Sequence, residues 1–319
     1  MDPRRILIIG FEDAELLDIA CPADVFDTAT RWGADPPYTV ELVSLGGRPI
    51  RTTSGITLAA QRTLEQVTGR HDTVIVAGGF GSFRAAEDRR LLEQLRRVAA
   101  ACERTASVCT GAGVLAAAGL LDGRRATTHW MWAAGLAERY PKVRVDPAPL
   151  YVRDGDVYTS AGVTSALDLT LALVADDHGP ELARQVARSL VTYLQRPGNQ
   201  AQVSLFMAAP PPADDLVRAV CDHVAAHLDD DLSTPALAAR AGVSTRHLAR
   251  LFDRHLRTTP ARHVRAVRAE AAGHLLVSTR LPLGAVARRC GFGSAETLRQ
   301  TFHDLYATSP SAFRSAATA

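Results

Sequence analysis

The sequence predicts an α/β protein of two unlike domains: a three-layer sandwich around a mostly parallel sheet, then an all-α domain with two helix-turn-helix units. Three observations carry this. At 319 residues the chain is longer than one typical core. Short β-rich runs alternate with helical stretches as far as Thr192 and cease after it. Between the two regimes, Arg196 to Asp215 read RPGNQAQVSLFMAAPPPADD, and three successive prolines do not fit inside a helix. The expected boundaries are a sandwich over 1–195, a linker over 196–214 and a helical domain over 215–319.

Within the sandwich, strands are expected at Arg4–Ile9, Tyr38–Leu45, Thr73–Ala77, Thr105–Val108 and Arg125–Thr128, each a short apolar or β-branched run. Helices are expected between them at Leu17–Arg31, Asp88–Glu103, Gly111–Gly119 and Trp130–Tyr140. Three later strands, Val143–Val145, Tyr151–Arg153 and Val157–Thr159, follow, with Asp154-Gly155 as the turn joining the last two. Helices near Thr164–His178 and Glu181–Thr192 close the domain.

Composition narrows the function classes. No run of about 18 uncharged apolar residues and no basic-then-apolar leader is readable, so a cytoplasmic protein without a membrane partner is expected. The five cysteines (Cys21, Cys102, Cys109, Cys221, Cys290) are odd in number and lack CxxC or zinc spacing, which predicts reduced thiols. No metal or cofactor is expected, because the ten histidines form no ligand-spaced cluster. The net charge of +2 conceals an asymmetry: residues 240–319 hold 13 arginines and 4 acids. Such a basic end suits phosphate neutralisation on double-stranded DNA, although charge alone is equally explained by a solvated basic face.

That basic end also carries the DNA-reading pattern. In Thr234–Leu256, Leu237, Ala238, Ala241, Val243, Leu248, Leu251 and Phe252 have the spacing of two helices packed across a tight turn at Gly242, with Ser244 capping the second. Thr245, Arg246, His247, Arg250 and Arg254 lie outside the apolar set, available to a major groove. A second copy runs from Leu283 through Gly291-Phe292-Gly293 to a helix capped by Ser294, with Glu296, Thr297, Arg299, Gln300 and His303 on its polar face. The helix Pro260–Ser278 is expected to join the units rigidly, so that both enter successive grooves roughly 34 Å apart. A plain helical bundle explains the apolar spacing but not two glycine turns with polar outer faces.

On the run Leu237–Ser244, Arg246-His247-Leu248, Leu251-Phe252, Cys290-Gly291-Phe292 and Ser309–Arg314, the region Asp215–Ala317 resembles the AraC/XylS family. It departs at Leu298, where the family pattern usually has an aromatic. The resemblance implies sequence-specific DNA binding and control of promoters, usually activation, with RNA polymerase as a further partner.

In the first domain, Ala106–Gly113 read ASVCTGAG: an apolar strand ends in Cys109 and small residues open a helix. A strand-turn-helix of this kind exposes a nucleophile at the sheet's C-terminal edge, and the helix N-terminus is expected to lower the thiol pKa. Gly78 and Gly79, after another strand, are expected to offer amide N–H groups at the same edge as an anion or oxyanion site. Thr159–Thr164 opens a later helix and is expected either to add donors there or simply to cap that helix. The bland alternative for Cys109 is a small buried thiol.

Leu16-Leu17-Asp18, Gly78-Gly79, Ser107–Gly111 and Ala126–Trp130 resemble the PfpI/ThiJ branch of the class I glutamine amidotransferase-like superfamily, over residues 4–192. The resemblance implies a flavodoxin-like sandwich, an acid on the first helix at Asp18 contacting Cys109, and a homodimer. Peptidase-like members carry His after the elbow cysteine, where this chain has Thr110, so no base is placed beside the thiol. His129 is expected near the pocket. The fusion to an AraC-type tail resembles regulators that sense small metabolites, among them amino acids and quaternary amines. The expected ligand-binding set is Asp18, Gly78, Gly79, Cys109, Thr110 and His129, in a domain that senses and does not catalyse. Two rival readings stay open: a thiol-dependent hydro-lyase or hydrolase at Cys109, similar to isonitrile hydratases, with Asp18 and Thr110 beside the nucleophile, and a redox sensor at Cys109.

Overall fold

The structure, a computed structural model, describes residues 2–192, 196, 198, 202, 214–306 and 308–318. It divides into two units, Met1–Gln202 and Val203–Thr318.

The first unit runs β1 (Arg4–Ile9), α1 (Leu16–Arg31), β2 (Tyr38–Ser44), β3 (Ile50–Arg51), β4 (Thr57–Leu58), β5 (Arg62–Thr63), β6 (His71–Val76), α2 (Ser82–Ala85), α3 (Arg89–Ala99), β7 (Cys102–Val108) and α4 (Gly111–Ala117). It continues with β8 (Arg125–Ala126), α5 (Ala133–Arg139), β9 (Arg144–Val145), β10 (Tyr151–Asp154), β11 (Val157–Ser160), α6 (Ser165–His178) and α7 (Pro180–Ser189). Seven strands form one sheet in the order β10-β11-β7-β6-β1-β2-β5, parallel except for the β10–β11 hairpin.

Both faces of the sheet are covered, which is why its central strands read as unbroken apolar runs. In β1, Ile6 and Ile8 join Phe26, Leu169 and Leu173 under α1 and α6, while Leu7 and Ile9 join Leu91, Leu95 and Leu115 under α3 and α4. At the strands' starting ends, Arg104 grips Asp177 with two parallel bonds (2.9 and 2.8 Å) and Tyr38 donates its hydroxyl to the same carboxylate (2.7 Å). That cluster ties β7, β2 and α6 together opposite the edge where ligands bind in open α/β sheets.

The strand expected at Arg125–Thr128 is shorter and lies elsewhere. Only Arg125–Ala126 pair, with Arg144–Val145, in a separate two-stranded sheet. At Thr127 and Thr128 backbone groups find other partners: Thr127 N–H donates to Thr159 Oγ1 (2.8 Å) and the Thr128 carbonyl accepts from the Gln202 amide (2.8 Å), while the Thr128 hydroxyl donates to the Cys109 carbonyl (2.8 Å). The helix expected from Trp130 begins as a 3₁₀ turn and becomes α-helical only at Ala133.

Most of the expected linker lies outside the described residues. Of its described members, Arg196, Gly198 and Gln202 are fastened to the sandwich, and Asp214 caps the helix Asp215–Ala226. Arg196 grips the buried Asp168 carboxylate through its guanidinium (2.6 and 3.0 Å) and its own N–H (2.8 Å). The Gln202 side-chain amide donates to Thr127 Oγ1 (3.0 Å) and the Thr128 carbonyl (2.8 Å), while its oxygen accepts from Trp130 N–H (2.8 Å).

The second unit holds α8 (Asp215–Ala226), α9 (Thr234–Arg240), α10 (Thr245–Leu256), α11 (Pro260–Ser278), α12 (Leu283–Arg289), α13 (Ala295–Tyr306) and α14 (Pro310–Thr318). It has two small cores. Val217, Leu237, Leu248 and Phe252 pack with Val264 and Val267 from the first half of α11, and Val286, Leu298, Phe302 and Phe313 pack with Ala269, Ala272 and Leu276 from its second half. Leu298 is fully buried there, filling the position where an aromatic is usual.

The two turns differ in their need for glycine. Both Gly242 (φ +67°) and Gly291 (φ +71°) are left-handed. A Cβ on Gly242 would meet nothing within 4 Å, whereas on Gly291 it would sit 1.9 Å from the Leu228 carbonyl. Arg268 of α11 donates to that same carbonyl (2.9 Å), so the second turn is wedged against the loop after α8. Gly242→Ala is therefore expected to cost about 1 kcal/mol, from backbone strain alone, and Gly291→Ala about 3 kcal/mol or more. Urea denaturation of both variants checks the ranking, and equal losses would contradict it.

Candidate functional site

The sheet's C-terminal edge gathers three chain turns around Cys109. After β7 the chain turns sharply at Cys109 itself, whose φ of +56° is left-handed despite its side chain. After β6 come Gly78 and Gly79, and after β11 come Gly162 (φ +113°) and Val163 (φ +48°). Space dictates the glycines. A Cβ on Gly162 would lie 2.6 Å from Cys109 Sγ, and one on Gly78 would lie 2.6 Å from Cys109 Cβ and 2.7 Å from Asp18 Oδ2.

Asp18, in the first turn of α1 and fully buried, bridges two of these turns. Gly78 N–H donates to its Oδ2 (3.0 Å) and Val163 N–H to its Oδ1 (2.9 Å). Thr110 bridges another pair: Gly79 N–H donates to Thr110 Oγ1 (2.9 Å), and that hydroxyl donates back to the Gly79 carbonyl (2.9 Å).

Two expectations are corrected here. Gly78 and Gly79 do not offer free N–H groups for an oxyanion, because Asp18 and Thr110 already take them; Val163 N–H is likewise spent on Asp18, and Gly162 N–H on Ser165 Oγ (2.6 Å). Nor is the Cys109 thiol acidified. Burial, reinforced by the Asp18 charge, pushes it up to about 12, against the opposing pull of Thr110 at the helix start. A short helix end behind a buried wall loses to desolvation. The thiol therefore stays protonated at neutral pH, unlike the thiolate of a reactive cysteine.

Over this edge lies a cavity of about 160 Å³ lined by Cys109, Thr110, Gly79 and His129 from the expected set, with Glu15, Phe80, Phe83, Met131, Trp132 and Val163 in addition. Asp18 and Gly78 sit behind its wall. Burial holds the His129 imidazole below its usual range, so it is neutral at pH 7. No Lys or Arg is among the lining residues, and Glu15 supplies the single carboxylate. The aromatic lining was not read from the sequence, although its members stand close to the expected set: Phe80 and Phe83 follow Gly79, and Trp132 follows His129. Among the described residues, no group of three His, Cys, Asp or Glu is arranged to hold a metal.

In the second unit the expected DNA-facing residues divide into two kinds. On α10, Thr245, Arg246, Arg250 and Arg254 are exposed, and His247 is half-buried with its ring nitrogen 3.0 Å from Arg250. Among the described residues, none of these arginines pairs with a carboxylate. On α13, Ser294, Glu296, Thr297, Arg299 and Gln300 are exposed, but Arg299 is paired with Glu296 (2.6 Å) and Gln300 donates to Asp304 (2.8 Å). Ser244 and Ser294 cap the two helices, accepting from His247 N–H (3.2 Å) and Thr297 N–H (3.1 Å).

Comparison with known proteins fits both halves. The family model described as the DJ-1/PfpI family matches residues 4–176, and one described as a helix-turn-helix domain matches 237–316. The chain belongs to the DJ-1/PfpI family. It is 33% identical over 306 residues to the HTH-type transcriptional regulator CdhR of Pseudomonas aeruginosa, covering 96% of this chain and 89% of that one. It is also 33% identical over 187 residues to an isonitrile hydratase of Pseudomonas putida, covering 58% of this chain and 77% of that one. A solved AraC family transcriptional regulator from Pseudomonas putida superposes with a TM-score of 0.51 at 27% identity, covering 59% of this chain and all of that one. Both modules of a helix-turn-helix transcriptional regulator are thus present in one chain, an AraC-type DNA-binding domain following a DJ-1/PfpI domain. No helix among the described residues is long and apolar enough to cross a membrane.

Burial pushes the Asp18 carboxyl up to about 7, although both oxygens accept N–H bonds. Because the folded protein holds this proton more tightly than the unfolded chain, the stability it contributes is complete below about pH 4 and is lost as the pH rises through about 7. Between about pH 5 and about pH 8 the stability difference between the parent and Asp18→Asn is expected to shift by about 2–3 kcal/mol against the parent. Parallel pH-dependent urea curves for the two proteins would contradict this.

Proposed function

We propose that the chain is a sequence-specific transcriptional regulator, acting as an activator, whose DJ-1/PfpI domain binds a small metabolite without turning it over. One observation carries the reading: the elbow has the cavity but not the tools, since its thiol stays protonated and its amide donors are spent on the protein itself. Nucleophilic catalysis needs the reverse, an activated nucleophile and free donors where charge develops. A protonated thiol also speaks against peroxide sensing at Cys109. The ligand-binding set is Cys109, Thr110, Gly79 and His129 in the lining, with Asp18 and Gly78 shaping it from behind. Glu15 without an opposing Lys or Arg favours a neutral or cationic metabolite.

On DNA, α10 and α13 are the recognition helices. Arg246, Arg250 and Arg254, with Thr245 and His247, supply both phosphate attraction and base contacts. Ser294, Glu296, Thr297, Arg299 and Gln300 read bases through polar groups whose charges are balanced within their own helix. The protein acts as a homodimer and engages RNA polymerase at its promoters. Gln202, bonded to Thr127, Thr128 and Trp130 beside the cavity, gives the departing chain a grip on the pocket wall through which occupancy alters DNA affinity.

Genome-wide capture of DNA bound by the intact protein is expected to yield a discrete motif that disappears in Arg246→Ala/Arg250→Ala; no enrichment in either protein under any growth condition would overturn the regulator reading. On the captured operator, Arg250→Ala should lower the salt slope of log affinity by about 1, and Arg299→Ala by less than half of that. Cys109→Ala should keep the response to the metabolite. Loss of measurable turnover in that variant would instead restore the hydro-lyase reading.

A further inference from the structure

Two held side chains stand at the same place on α10 and α13. Arg250 is the sixth residue after Ser244, which caps α10, and Gln300 the sixth after Ser294, which caps α13. Both are exposed, and each is bonded to a second side chain of its own helix. The Arg250 guanidinium lies 3.0 Å from Nδ1 of the half-buried His247, and the Gln300 amide donates to Asp304 (2.8 Å). Arg246 and Arg254, one turn before and one turn after Arg250, have no side-chain partner among the described residues. Arg299 is held too, but by Glu296, whose carboxylate neutralises it.

Chemistry fixes what each bond leaves free. An arginine only donates, so Nδ1 of His247 accepts and the imidazole proton sits on Nε2. One Nη2 hydrogen of Arg250 is spent there, and the remaining donors of the planar fork still suit a pair of acceptors. Gln300 gives one amide hydrogen to Asp304 and keeps one donor beside its carbonyl acceptor. In the major groove guanine offers two acceptors, N7 and O6, whereas adenine offers an acceptor beside a donor, N7 and the N6 amino group. The held fork matches the first and the held amide the second. Holding matters because a long side chain loses rotamer freedom on docking, and one already fixed has lost part of it beforehand.

We propose that Arg250 reads a guanine and Gln300 an adenine, with His247 and Asp304 as the residues that position them. The proposal rests on the reading of α10 and α13 as recognition helices and adds the base that each selects. The two bases then lie about one helical turn apart in the operator.

Affinity of the intact protein for the captured operator, with each base pair replaced in turn, tests it. In the parent, replacing the guanine or the adenine is expected to weaken binding about fivefold to a hundredfold, and Arg250→Ala and Gln300→Ala are each expected to abolish that preference at one base pair. His247→Leu is expected to reduce the guanine preference about threefold or more with the salt slope unchanged, since the Arg250 charge remains. His247→Asn, whose Oδ1 takes the place of Nδ1, is expected to restore it. Asp304→Leu is expected to tighten every duplex, having removed an acid, and yet to reduce the adenine preference about threefold or more; Asp304→Asn keeps the acceptor and is expected to restore that preference. Damage to the fold would instead weaken every duplex alike. An unchanged preference in either leucine variant, or bases other than guanine and adenine at the positions that the alanine variants silence, would overturn the proposal and leave the recognition helices standing. If neither alanine variant loses selectivity at any base pair, the recognition-helix reading falls with it.

Discussion

One buried carboxylate organises the sandwich's working edge. Asp18 reaches from the start of α1 to accept an amide from the turn after β6 and another from the turn after β11, with Cys109 packed between. Left alone, a charge so deeply buried carries a heavy desolvation cost, and two directed N–H bonds offset only part of it. The raised Asp18 pKa measures what remains uncompensated. The same burial raises the thiol pKa, with the neighbouring Asp18 charge adding to it. Over these supports lies a shaped, aromatic-walled cavity.

The helical unit follows a different rule: two small cores share one 19-residue helix. Arg268 and Gly291 press the second turn against the loop that follows α8, so the halves meet through backbone as well as through α11. Their outer faces are not equivalent. The arginines of α10, none of them paired with a carboxylate among the described residues, project an electrostatic field, whereas in α13 Arg299 is neutralised by Glu296 and Gln300 bonds Asp304.

Much of this was legible in the sequence. The alternation of short apolar runs with helical stretches predicted the parallel sheet, and the glycine turns with capping serines predicted both recognition units. The elbow was legible because Cys109 stands between an apolar strand and a run of small residues. What escaped is non-local. That the N–H groups of Gly78, Gly79 and Val163 are consumed by Asp18 and Thr110 depends on partners 31 to 145 residues apart, and helix-end arguments about Cys109 contain no account of how dry its surroundings are. The strand expected over Arg125–Thr128 failed for a related reason, since the Thr159 hydroxyl takes the Thr127 N–H and the Gln202 side-chain amide takes the Thr128 carbonyl. Gln202 and Arg196 lay in a stretch whose composition suggested only a tether.

The sharing of α11 separates two kinds of information that a DNA-binding protein must encode. In the proposed reading, the bases preferred at each half-contact depend on exposed side chains of α10 and α13, which neither core needs, and operator spacing on the helix between them. The interval between half-contacts depends on a rod of about 28 Å whose buried stripe both cores grip. A lineage carrying this unit is therefore free to drift toward new operator sequences by changing surface residues one at a time, while operator spacing, written into the length and phase of a single helix, stays fixed unless the whole unit is rebuilt.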